Sequence, residues 1–141
     1  MEAKAYFDLA RKLAQMRTEA ALRSAISRGY YAAFHTAKNL IEGFGFYLPK
    51  DAAAHDKLFY LLNNAGIKAA EDAAKFLADL RKRRNLADYD FKQKNMQAYQ
   101  DCQYDLVRVA GVINFCDNYS IEPLRSELKK GVSAYVQKVG I

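Results

Sequence analysis

The sequence predicts an all-α protein: an antiparallel, up-and-down bundle of about five core helices followed by a C-terminal helix. Two observations point there. Apolar residues recur at steps of three and four along most of the chain, and no segment shows the alternation a half-buried strand needs. Proline occurs only twice and tryptophan not at all, while alanine is abundant, a composition that favours helices over sheet.

The first helix is expected over 2 to 16, with Tyr6, Leu9, Ala10 and Leu13 on its apolar face. Thr18 then serves as the N-cap of a longer helix reaching Glu42, with Ala21 and Leu22 following the cap. The segment "GFGFYLPK" breaks it, because two glycines and a proline do not continue a helix. A short helix carrying Leu58, Leu61 and Leu62 follows and stops at "NNAG", where Asn and Gly accept left-handed geometry. The next helix spans about 68 to 86, with Ala73, Phe76, Leu77 and Leu80 inward. Another covers about 93 to 118, with Tyr99, Leu106, Val109, Ala110 and Ile113 on its inner side. The tail after "SIEPLRSELKK" predicts a last amphipathic helix with a break near Gly131. Residues 1–120 therefore form one helical bundle, and 121–141 a C-terminal amphipathic helix packed on it or extending it.

At 141 residues the chain buries a core without staples. A net charge of +6 and a pI of about 9.3 suit a polyanionic partner without requiring one. The N-terminal stretch carries charges every few residues and lacks the apolar run of a signal peptide. The longest uncharged run, 58 to 67, is too short and too polar to span a bilayer, so no membrane association is expected. Cys102 and Cys116 share one helix about 21 Å apart, too far to bridge. A reducing, cytoplasmic location is the expectation. Neither thiol has neighbours at zinc-ligand spacing, and carboxylates do not cluster, so no metal and no cofactor is expected. Phosphate-binding glycine loops, nucleophile elbows and HExxH pairs are all missing from the sequence.

Two stretches carry the functional signal. In "SRGYYAAFH", 27 to 35, a helical wheel at about 100° per residue separates two faces. Leu22, Ile26, Tyr30, Ala33, Phe34, Ala37, Leu40 and Ile41 make the core side. Opposite them Ser24, Arg28, Tyr31, His35 and Lys38 form one stripe, able to donate hydrogen bonds to phosphate and to stack on a base. A solvated face or a polar dimer seam has the same pattern. In "RKRRNLADYD", 81 to 90, Arg84 continues the apolar face, Arg81 and Arg83 flank it, and Lys82 lies opposite. A guanidinium where leucine is expected needs a partner. Asp88, one turn on, supplies it in the structural reading; a gripped phosphate supplies it in the functional one. His55 reads as a capping or surface histidine near the start of the short helix.

Together, "SRGYYAAFHTAKNLI" and the later "RKRRNLADYD" resemble the HEPN superfamily, in the branch marked by Ser-Arg-x-Tyr-Tyr-Ala-x-Phe-His and Arg-x-x-Ala-Asp-Tyr. The resemblance covers about 5 to 118. It implies a helical bundle that pairs two-fold around a cleft, a bacterial or archaeal origin, and frequent partnership with a minimal nucleotidyltransferase in toxin–antitoxin modules. Catalytic members are metal-independent RNases using an Arg, a polar follower and a His four to six residues beyond the Arg. Arg84 and Asn85 match the first two; five positions on stands Tyr89, and no histidine follows His55. A tyrosine of pKa about 10 is a poor general base at neutral pH. The resemblance thus implies RNA or nucleotide binding in a dimer cleft, with Arg28, Tyr31, Arg81 and Arg83 as binding residues. One alternative is an endoribonuclease toxin using Arg84 and Asn85 with His35 or Tyr89. The other is a non-catalytic module for the nucleotidyltransferase.

Overall fold

In a computed structural model that describes residues 2–93 and 98–140, six helices pack into a bundle, with no strand among the described residues. They are α1 (Ala3–Gln15), α2 (Glu19–Gly43), α3 (Ala53–Asn63), α4 (Lys68–Tyr89), α5 (Tyr99–Asn118) and α6 (Leu124–Val139). Residue pairing gives the directions. Tyr6 meets Tyr31 while Ala10 faces Gly29, so α1 runs antiparallel to α2. Arg83 reaches Asp105 while Phe76 lies against Gly111, so α4 and α5 are also antiparallel. The all-α bundle is as the sequence predicts.

Thr18 caps α2 as expected, its Oγ1 accepting from the Ala21 N–H at 3.2 Å. The core side of α2 is the one the wheel assigns: Leu22, Ile26, Tyr30, Ala33, Phe34, Ala37 and Ile41 are buried, and Leu40 packs against the same core. Gly29 sits where α2 crosses α5; a Cβ there would stand 3.1 Å from Val109 Cγ2. Most of the core lies among α2, α3, α4 and α5, and a smaller apolar cluster closes the end where α1, the start of α2, the end of α4 and the start of α5 converge.

Three boundaries differ from the sequence reading. Helix α5 begins at Tyr99, and the turn expected at its start includes 94–97, which lie outside the described residues. Helix α6 runs through Gly131 without a break. There the glycine serves packing: an added Cβ would fall on the Ala65 carbonyl oxygen, so its absence lets α6 close on the end of α3 and bury Leu128 and Val132 in the main core. Helix α4 continues to Tyr89 rather than ending at 86. The cause is Arg23, buried on α2 with its Nη1 donating to the carbonyls of Leu86, Ala87 and Asp90 at 3.2, 3.1 and 2.9 Å. Its Nη2 donates to the Gln93 carbonyl at 3.1 Å, and its Nε meets Glu19 at 3.0 Å. One guanidinium thus supplies donors to the helix-end carbonyls of Ala87 and Asp90 and reinforces Leu86, which also accepts from the Asp90 N–H at 3.0 Å.

Arg23→Met should lower unfolding free energy by about 2 to 4 kcal/mol, since buried acceptors lose a charged donor. Amide exchange at 86–90 should rise with it; unchanged exchange there would show that α4 ends without this cap. Gly131→Ala should cost about 1 to 3 kcal/mol through overpacking. Gly43→Ala is its control, because nothing lies within 4 Å of a Cβ at that position.

Candidate functional site

The two sequence stretches meet. Ser27 Oγ donates to Asp88 Oδ2 at 3.2 Å, and Arg84 Nε reaches the same oxygen at 3.0 Å, so a serine of α2 and both residues of the α4 pair form one contact. The Arg84–Asp88 pair is the one that helical spacing proposes. Arg84 is not in the middle of the core, however. Leu77, Leu80 and Ala87 hold the buried line, and Arg84 comes to its edge with 32% of its side chain exposed, where desolvation is incomplete.

From that edge Arg84 enters a groove of about 420 Å³ bounded by α2, the segment before α3, and α3 itself. Arg28, Tyr31, His35 and Lys38 of the α2 stripe line it, with Lys50 and Asp51 on the facing wall. Its charged lining is four cations (Arg28, Lys38, Lys50, Arg84) against one carboxylate (Asp51). Among the described residues no ion pair involves Arg28, Lys38 or Lys50. The Asp51 carboxylate accepts from the Ala53 N–H at 3.0 Å and so starts α3. An aromatic series runs along the floor: Tyr31 to His35 at 4.0 Å, His35 to Phe34 at 5.0 Å, and Phe34 to His55 at 4.1 Å, with Tyr6 of α1 backing Tyr31 at 4.5 Å from outside the groove.

His55 is the residue that sequence reasoning missed. It is neither a cap nor a surface side chain: its ring stacks on Phe34 and Tyr30 and it lines the groove beside Arg84. Its Nδ1 is hydrogen-bonded to the Tyr30 hydroxyl. Burial pushes the Tyr30 phenol up, so the hydroxyl keeps its proton. Burial also holds His55 down to about 4, with Arg81 and Arg84 adding to it and Asp56 opposing. The pair is therefore a protonated phenol hydrogen-bonded to a neutral imidazole. His35 is lowered as well, by burial first and Lys38 second.

The other candidates separate. Arg81 Nη1 donates to Asp56 Oδ1 at 2.9 Å, and Arg81 and Asn85 line a different cavity on the far side of His55. Arg83 turns away: its Nε donates to Asp105 Oδ2 at 2.8 Å, and Asp105, 1% exposed, also meets Arg108 at 3.3 Å. That arginine holds α4 to α5 and stands outside the groove. Tyr89 is 74% exposed at the end of α4, its ring 5.8 Å from the Arg84 guanidinium, and does not line the groove. Among the described residues no group of three His, Cys, Asp or Glu is placed to hold a metal. No described helix is long and apolar enough to cross a membrane.

Compared with known proteins, the chain matches no family model, no curated protein and no solved structure. The HEPN likeness rests on the two motifs alone.

The depressed His55 basicity makes stability depend on pH with a definite sign. Between about pH 6.5 and 4 the unfolded chain takes up a proton here that the folded chain refuses, so stability falls as pH drops through that window. Below about 4 both states are protonated and the loss levels off. His55→Gln should flatten this part of the curve in urea unfolding, leaving a smaller slope from His35. An unchanged curve would mean that the imidazole charges freely in the fold.

Proposed function

We propose that this protein is a HEPN-type helical module that binds single-stranded RNA or a nucleotide through the α2–α3–α4 groove. The observation that carries the reading is the convergence of Arg28, Lys38, Lys50 and Arg84 on one groove floored by Tyr31 and His35. Cations unmatched by carboxylates attract phosphate, and stacked rings offer a face to a base. With Nε on Asp88 and Nη1 donating to Asn85, Arg84 keeps Nη2 for a phosphate oxygen.

The family resemblance extends the proposal. The chain works as a two-fold homodimer whose seam uses α2 and the end of α4, in a prokaryotic toxin–antitoxin-type system with a minimal nucleotidyltransferase as protein partner. A cytoplasmic site agrees with two buried, unbridged thiols.

A second reading, metal-independent RNA cleavage, draws on the placement of both histidines and Arg84 along the same groove. Neutral imidazoles are able to accept a proton from a ribose 2′-hydroxyl, while Arg84 steadies the charge on phosphate. Non-catalytic binding remains the preferred reading, because His55 is already occupied by Tyr30 and the residue at the family's histidine position is the exposed Tyr89.

Binding of a short single-stranded RNA should weaken steeply with salt as counterions are released. Arg28→Glu or Lys50→Glu should reduce affinity at low salt by about tenfold or more, while Arg83→Gln should act on stability instead. Absence of any RNA or nucleotide binding at low salt would overturn the proposal. RNA cleavage by the parent protein in the presence of a chelator, lost in Arg84→Lys with folding retained, would promote the second reading over the first.

A further inference from the structure

The groove that holds Arg84 shares a wall with another cavity. Tyr30, Phe34 and His55 line both, so the barrier between them is formed by these three rings. The second cavity lies between α3 and α4, measures about 420 Å³, and is within the size range of small-ligand pockets. Leu58, Phe59 and Leu77 make it apolar inside, and Tyr60 stands at it with 52% of its surface exposed. Asp56, Arg81, Lys82 and Asn85 add polar groups to this lining.

We infer that this second cavity is a nucleobase pocket, and that the phosphate of the same nucleotide lies in the cationic groove on the other side of the His55 wall. The inference rests on the phosphate-binding reading of that groove and names what sits beside it. Three features support a base over an apolar side chain of a partner protein. The pocket carries a half-exposed aromatic ring, Tyr60, beside Phe59, and an aromatic face of this kind is one on which a base stacks. Beyond the Arg81–Asp56 pair, the polar lining residues still offer donors and acceptors that a base edge is able to use. Finally, the two cavities are tied at their boundary: Arg84 lines the groove, Asn85 lines the pocket, and Arg84 Nη1 donates to Asn85 Oδ1 at 3.2 Å. With its oxygen engaged, the Asn85 amide presents its NH₂ as the free donor.

The test compares three probes, 5′-AMP, ribose 5-phosphate and inorganic phosphate, titrated into the full chain at low salt. AMP should bind about tenfold or more tighter than ribose 5-phosphate, the gain expected from stacking a base. Ala78 is a half-buried residue lining the pocket and not the groove, so Ala78→Phe fills the pocket. That variant should erase the advantage of AMP and leave ribose 5-phosphate binding unchanged. Tyr60→Ala, at an exposed ring that carries no core packing, should reduce the same advantage and guards against a folding defect in the first variant. Equal binding of AMP and ribose 5-phosphate to the parent, or an AMP advantage that survives both variants, overturns the base pocket while the phosphate groove stands. If none of the three probes binds, the groove reading fails and the pocket falls with it.

Discussion

The arrangement of this molecule hangs on one buried cation. A helix ends with carbonyls that lack a backbone N–H donor, and α4 carries the Arg84–Asp88 pair in its last two turns, where fraying is normally greatest. Arg23 reaches across from α2 and donates to the carbonyls of Ala87 and Asp90, to that of Leu86 beside its Asp90 N–H bond, and to that of Gln93, while Glu19 balances its charge. Lysine has the charge but a single nitrogen; only the guanidinium fork spans four acceptors. A positive group at a helix C-terminus is also favoured by the macrodipole. The result is an α4 that stays helical to Tyr89 and holds Arg84 and Asp88 in register with Ser27.

With that register set, the electrostatics of the groove follow. Four cations share it with one carboxylate, and that carboxylate caps a helix. Such a lining repels itself unless something else keeps the charge low, and here the two histidines do so. Burial and the neighbouring cations hold both rings below their ordinary value, so neither adds positive charge at neutral pH. Rings that stay neutral pack on aromatic neighbours, His35 on Tyr31 and His55 on Phe34, whereas charged ones would keep their water. The aromatic floor and the cationic rim are therefore compatible: burial first, with Lys38 and Arg84 assisting, keeps the imidazoles neutral, and they add nothing to the charge of the rim.

What the sequence discloses follows the range of the interaction. Local periodicity places the core face of α2 residue by residue, and the i,i+4 spacing of Arg84 and Asp88 is enough to pair them. The Thr18 cap is local as well. Arg23, His55 and Asp105 were illegible for the opposite reason, since each takes its meaning from a helix distant in the chain. Arg23 lies 63 residues from Leu86, and His55 lies 25 from Tyr30. Gly131 misleads in the same way: read locally it is a helix breaker, and only the carbonyl of Ala65 explains it as a contact. Among site residues, the α2 stripe was legible as a stripe, but the wall facing it, Lys50 and Asp51, sits in a loop with no periodicity to read.

The run "RKRR" shows how far charge alone misinforms. As four consecutive cations it suggests a nucleic-acid patch, yet successive residues of a helix point about 100° apart and cannot all face one ligand. Arg81 goes to Asp56 and ties α4 to α3. Lys82 is exposed. Arg83 goes to the buried Asp105 and ties α4 to α5. Only Arg84 lines the groove, and even its Nε is held by Asp88. Two of the four charges therefore bind the bundle together around α4, and that anchoring is what lets the last one be presented at a fixed place. The cationic lining of the groove instead collects from residues scattered in sequence, Arg28, Lys38 and Lys50 together with Arg84. A cationic site of this kind is a property of the packed helices, and no contiguous basic run need announce it.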